Sequence, residues 1–149
     1  MNYFIFDLDN TLFSLDTNNK IKNVVSSNLL KILKEKGKLI LFSNAKYLYC
    51  IYWLDILRIK KYFSVIISSD FINGFKPNPL LYKKINKLCG IKNNDKVYFF
   101  DDIEVNLESS KTVKWITILI NEKNNKKKHI DYNYNDINTS IEYLINSCS

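Results

Sequence analysis

Six residues of this chain have the types and spacing to do chemistry together. Asp7 and Asp9 stand one residue apart in Phe6-Asp7-Leu8-Asp9-Asn10-Thr11, directly after the apolar run Tyr3-Phe4-Ile5-Phe6. Ser43 follows Leu39-Ile40-Leu41-Phe42, Lys76 lies in Gly74-Phe75-Lys76-Pro77, and Asp101-Asp102 follow Val97-Tyr98-Phe99-Phe100. Runs of this kind read as buried strands, and a carboxylate at a strand's end faces solvent or a cleft, since burying it unpaired is costly. Four carboxylates brought together repel and raise one another's proton affinity unless a cation sits among them. Oxygen donors with no His or Cys nearby select a hard ion. Each piece alone is ordinary: Asp-x-Asp is a common loop, Ser43-Asn44 a common helix N-cap, Lys76-Pro77 a common turn. Their joint order at the ends of separate elements is the informative part.

The elements that must position these residues alternate along the chain. Strands are expected near Tyr3–Leu8, Lys38–Phe42, Val65–Ser68, Lys96–Phe100 and Trp115–Ile120. Helices fit Val24–Lys36, Ala45–Ile59, Pro79–Cys89, Val105–Lys111 and Ile137–Asn146. Gly37 and Gly90 sit where C-terminal caps belong, and Asn78-Pro79 supplies an N-cap followed by proline at the first helical position. Asn121–Asn135 is polar and aperiodic, hence a surface loop. Strand-helix alternation argues for an α/β fold with a parallel sheet and helices on both faces.

With these residues in this order, the chain resembles the haloacid dehalogenase (HAD) superfamily of phosphohydrolases, whose four ordered motifs they match, over Asn2 to Ile120. The resemblance implies one HAD-like domain over residues 1–149, with a Rossmann-like three-layer fold. Its five-stranded parallel sheet would run in the order 5-4-1-2-3, which reverses between the first and fourth strands. Ligands in open α/β sheets bind outside the strand C-termini at that point, where Asp7, Asp9, Asp101 and Asp102 lie.

The resemblance also assigns roles. Mg²⁺ would take a side-chain oxygen of Asp7, the backbone carbonyl of Asp9 and a carboxylate of Asp102, with Asp101 a direct or water-mediated ligand. Asp7 would be the nucleophile that forms an aspartyl-phosphate, and Asp9 the general acid and base. Halide leaving groups need no proton, so an Asp at position 9 points to phosphate esters. Ser43 would hydrogen-bond a phosphoryl oxygen, helped by the Asn44 backbone N–H near a helix N-terminus, and Lys76 would neutralise charge. Thr11 and Asn106 would orient the others. A response-regulator receiver domain also clusters acids and a Lys at strand ends, but there the acid pair follows the first strand and the Lys the last.

At 149 residues, with 46% hydrophobic and 14% aromatic side chains, the chain can bury a core. It shows no apolar run of membrane-spanning length and no signal peptide, so a cytoplasmic protein without membrane contact is expected. Cys50, Cys89 and Cys148 have no metal-ligand spacing and read as reduced thiols. The +7 charge rests almost wholly on Lys, in clusters such as Lys34-Glu35-Lys36-Gly37-Lys38, Lys83-Lys84 and Lys126-Lys127-Lys128; Arg58 is the lone arginine. Base-edge reading leans on guanidinium, so sequence-specific nucleic-acid binding is not expected.

Neither site where this family inserts a cap has room for one. Ser14–Asn23 suffices for a short flap, and Ala45–Phe75 for a helix, a strand and a loop. An open site admits phosphoproteins or nucleic-acid ends. The flanking residues Phe42-Ser43-Asn44-Ala45, Lys76-Pro77-Asn78-Pro79 and Phe100-Asp101-Asp102-Ile103-Glu104-Val105-Asn106 look most like the capped pyrimidine 5′-nucleotidase branch, which favours small phosphomonoesters. A non-catalytic binding module on the same fold is the alternative from another class. The segment Tyr47–Leu57 is apolar around most of a helix, which fits either deep packing in the core or a homodimer surface.

Overall fold

The computed structural model describes residues 1–122 and 127–147. In chain order its elements are β1 (Asn2–Phe6), β2 (Phe13–Leu15), β3 (Ile21–Val24), α1 (Ser27–Lys36), β4 (Lys38–Phe42), α2 (Tyr47–Ile56), β5 (Phe63–Ile67) and α3 (Ser69–Ile72). Then come α4 (Pro79–Cys89), β6 (Lys96–Asp101), α5 (Glu104–Ser110), β7 (Ile116–Ile120), β8 (Tyr132–Tyr134) and α6 (Ile137–Ser147). Successive side chains of a strand point to opposite faces, and here both faces are apolar. Phe4, Phe6, Leu41, Tyr98, Phe100 and Ile118 pack on one side with Leu30 and Leu33 of α1 and Ile141 and Leu144 of α6. Tyr3, Ile5, Ile40, Phe42, Phe99 and Leu119 pack on the other with Tyr82 and Ile85 of α4 and Leu107 of α5. Each large side chain so buried contributes about 1.5–3 kcal/mol. Three layers follow from that alternation.

The main sheet has the order β5-β4-β1-β6-β7-β8, and its strand pairs are all parallel. The order expected for five strands holds, and the reversal lies between β1 and β6. The sheet nevertheless has six strands, one more than expected. The added strand, β8, falls inside the stretch expected to be loop. It is too short and polar for a periodic signal, and side chains hold it: Asp131 accepts from the Thr117 N–H at 2.7 Å, and Asn133 Nδ2 donates to the Leu119 carbonyl at 3.1 Å.

Other boundaries shift for physical reasons. Val24 ends β3, and α1 starts after Ser26, whose hydroxyl accepts from the Leu29 N–H. Gly37 is no left-handed cap: its φ of 173° is extended, and a Cβ there would collide with the Asn2 carbonyl oxygen. Gly90 does cap α4 with φ 68°, and Asn78 caps its start by accepting from Leu80 N–H. Helix α2 spans Tyr47–Ile56, shorter than Ala45–Ile59. Only Cys50 and Leu54 of it are fully buried, while Leu48 is 80% and Tyr52 59% exposed, so deep packing is not its arrangement. The flap is the antiparallel hairpin β2-β3, and no cap domain interrupts the described chain. Cys50 and Cys89 are free thiols, and Cys148, like Lys126, lies outside the described residues.

Candidate active site

The site forms where β1, β4 and β6 end side by side. Asp7 continues β1, its N–H donating to the Phe100 carbonyl at 2.9 Å, and Asp101 ends β6. Asn10 then turns the chain with φ 60°, a left-handed conformation that asparagine tolerates better than most residues. The turn returns Thr11 beneath the acids, where its hydroxyl meets Asp7 Oδ2 at 3.2 Å and Asp102 Oδ1 at 3.4 Å. Carboxylate oxygens of Asp7, Asp101 and Asp102 lie within 4.8 Å of one another.

Lys76 is the counterion. Its ammonium, 5% exposed as a residue, donates to Asp7 Oδ1 at 2.9 Å, Asp101 Oδ2 at 2.8 Å and the Phe42 carbonyl at 2.9 Å. Burial alone would lower its proton affinity, but the two carboxylates outweigh that and hold it above the ordinary lysine value. Asn44 fixes the backbone from which Lys76 projects: its Oδ1 accepts from Lys76 N–H at 2.7 Å and its Nδ2 donates to Lys76 O at 3.2 Å. Asn44 precedes the start of α2 by three residues, so its N–H lies near that helix N-terminus but ahead of its first turn. Ser43 is buried beside it, its Oγ accepting from the Ala45 N–H at 3.0 Å.

The acid pair divides its work. Asp101 is fully buried; Lys76 and Asn106 Nδ2 donate to one of its oxygens and the Ile103 N–H to the other. Burial still raises its carboxyl, with Lys76 opposing and Asp7 adding to the rise. Asp102 is half-buried, and its carboxyl is pushed up to about 8 by burial, then by its contact with Asp7 and the Asp101 charge. Lys76 reaches Asp7 and Asp101 but makes no ion pair with Asp102, so three carboxylates share one cation, and their donor atoms are all oxygen. A hard divalent cation fits this set.

Asp9 is not part of that cluster. Its Oδ1 accepts from the Tyr49 hydroxyl at 2.6 Å. Burial raises the Asp9 carboxyl, the Tyr49 hydrogen bond opposes this, and Asp7 adds to the rise. Tyr49 itself is pushed up to about 12 by burial and by Asp9. Sequence reasoning treated Tyr49 only as part of an apolar helix. No local signal marks it, because its partner lies 40 positions away.

A cleft of about 620 Å³ opens beside these residues, with Thr11 and Asp102 on one wall. Lys22 and Asn23 of the flap, Asn121 after β7 and Asn135 before α6 also line it. In the sequence Lys22 and Asn23 mark only the flap, with no signal for the cleft.

The family model for haloacid dehalogenase-like hydrolases matches residues 15–113. That segment carries Ser43, Lys76, Asp101 and Asp102, while Asp7 and Asp9 lie just ahead of it. No curated protein matches the chain. A Thermotoga maritima structure provisionally assigned as a beta-phosphoglucomutase has a TM-score of 0.78 at 16% identity, over 97% of this chain and 98% of that one. A HAD phosphatase from Thermococcus onnurineus has 0.66 at 21%, over 78% and 55%. An L-2-haloacid dehalogenase from Xanthobacter autotrophicus has 0.67 at 13%, over 79% and 58%. The chain thus spans little more than half the length of the latter two. At these identities the likeness is one of fold.

Proposed function

Because this chain belongs to the haloacid dehalogenase-like hydrolase family, we propose that it is a Mg²⁺-dependent phosphohydrolase acting on phosphate monoesters through an aspartyl-phosphate on Asp7. Dehalogenases and phosphatases share the fold, so a residue must choose between them. That residue is Asp9. A carboxyl held above its ordinary value by burial, two positions after the nucleophile, suits delivery of a proton to a leaving alkoxide. A departing halide has no use for it.

In this reading a carboxylate oxygen of Asp7 attacks phosphorus, the ester P–O bond breaks, and Asp9 gives its proton to the leaving oxygen. Asp9 then takes a proton from water, which attacks the phosphorus of the aspartyl-phosphate, freeing phosphate and restoring Asp7. Lys76 holds Asp7 in place and balances its charge. The buried Ser43 hydroxyl would donate to a phosphoryl oxygen. Asp7, Asp102 and the Asp9 carbonyl would hold Mg²⁺, with Asp101 behind them through water, because its oxygens already accept from Lys76, Asn106 and Ile103. The ion supplies positive charge to the phosphoryl oxygens.

The polar cleft, and flanking residues that resemble those of the pyrimidine 5′-nucleotidase branch, favour small phosphomonoesters, nucleotides included. The absent cap favours a second reading, a phosphoprotein or nucleic-acid end. Hydrolysis of a generic aryl phosphate with Mg²⁺ and its loss in EDTA is the expected result. A panel of nucleoside monophosphates, sugar phosphates, phosphopeptides and phosphate-ended oligonucleotides then ranks the substrates. No metal-dependent turnover on any of them would leave a non-catalytic binding module as the better account.

The free thiols of Cys50 and Cys89 agree with a cytoplasmic setting, and no described helix is long and apolar enough to cross a membrane. The exposed face of α2, with Leu48, Tyr52 and Ile56, supports a homodimer. Light scattering at micromolar concentration should give twice the chain mass, and Leu48→Lys with Tyr52→Lys should halve it.

A further inference from the structure

At one edge of the sheet, β5 pairs with β4 on one side and, among the described residues, with no strand on the other. A groove of about 810 Å³ runs along it, away from the acids. Toward the C-terminal end of the strand Val65, Ile66, Tyr47 and Phe71 line it, and Leu54 and Phe63 continue the apolar wall. At the other end it is basic: Arg58, Lys60 and Lys61 line it against a single carboxylate, Asp55. None of these three cations forms an ion pair among the described residues, and all three are exposed. Arg58, the chain's lone arginine, also holds a left-handed φ of 56°, a conformation costly for a side chain of its size.

Lysines beside an edge strand commonly serve only to repel other strands. An apolar trough along the same strand does the opposite, since it favours whatever lies in it. We infer that the β5 edge docks an extended peptide segment of a partner protein, with acidic residues at one end and alternating apolar residues at the other. Backbone N–H and C=O groups of such a peptide match the open strand edge, alternate side chains enter the trough, and carboxylates meet Arg58, Lys60 and Lys61. A nucleic acid would satisfy the cations but not the strand edge.

The test is fluorescence anisotropy with the full chain and a labelled peptide of about nine residues, three glutamates followed by alternating valine and threonine. Saturable binding is expected, weakened about tenfold or more by Arg58→Glu, Lys60→Glu and Lys61→Glu together. Binding should vanish when proline replaces each threonine and should be unchanged by Asp7→Asn, which separates this surface from the catalytic reading. Three results would overturn the proposal: no binding, equal binding of a peptide headed by lysines, or equal binding of the proline peptide. These peptide controls use the unmodified chain and hold even where the triple variant fails to fold. Tighter binding of an oligothymidylate, or a dimer in light scattering that the triple variant dissolves, would assign the groove to another occupant and refute it.

Discussion

Around Lys76 the site is saturated, and around Asp9 and Asp102 it is not. The ammonium directs its three hydrogens to Asp7, Asp101 and the Phe42 carbonyl, and Asp101 accepts from three separate donors. Asp9, by contrast, has one phenol as its side-chain partner, and Asp102 meets Thr11 at 3.4 Å beside the Asp7 carboxyl. A saturated buried network fixes geometry, because removing any member strands a charge. The unsaturated half retains capacity for an ion, a proton and a substrate. Asp7 belongs to both halves, which suits the nucleophile proposed for it.

The contrast can be broken from either side. Asp7→Asn should lower turnover by at least about 10⁴-fold and abolish trapped phosphoenzyme. Asp9→Asn should cost about 10²–10⁴-fold yet accumulate phosphoenzyme from an aryl phosphate, because a good leaving group needs no acid while the hydrolytic water still needs a base. Rapid-quench trapping distinguishes the two, and indistinguishable variants would undo the role division.

Lys76→Met tests the saturated half. It leaves Asp7 and Asp101 without their buried counterion and should cost about 3–5 kcal/mol in denaturant unfolding. A loss below about 1 kcal/mol would mean that the network is not holding the site together.

The unsaturated half should answer to pH. The Asp102 carboxyl rises from 3.8 to about 8 in the folded chain. Between those values the folded metal-free chain binds more protons than the unfolded one, so stability falls as pH rises, the reverse of an ordinary paired carboxylate. A divalent ion competes with that proton, and the Mg²⁺-induced gain in melting temperature should grow from about pH 6 to about pH 8. Asp102→Asn should flatten both trends in thermal-shift measurements.

Tyr49→Phe is the mildest change. It removes one hydrogen bond to Asp9, of the order of 1 kcal/mol, and should lower kcat/KM by about tenfold or less. Since that bond opposes the rise of the Asp9 carboxyl, its loss should move upward the alkaline limb of the kcat/KM profile, where Asp9 must still hold its proton. An unmoved limb would mean that Tyr49 only packs.

Much of this site was legible because its signals are local. Strands buried on both faces leave continuous apolar runs, and each ends at Asp7, Ser43 or Asp101, so position relative to the sheet follows from sequence distance. The Asn78-Pro79 start and Gly90 end of α4 are equally local. Gly37 misled because glycine also serves close approach, and its neighbour Asn2 is remote in sequence.

The sequence by itself determined the succession of strands and helices, the absent cap and the residues at the strand ends, since periodicity, loop length and motif order are properties of short segments; the strand order came from the family that those motifs resemble. Tertiary structure alone decided that β8 extends the sheet, that Tyr49 reaches Asp9, that Lys22 and Asn23 line the cleft, and that the edge of β5 stands open beside three cations. The first three join residues distant in the chain, and the open edge depends on which strands the fold places beside β5; nothing in a local window encodes a contact whose partner is brought in by the packing of the whole.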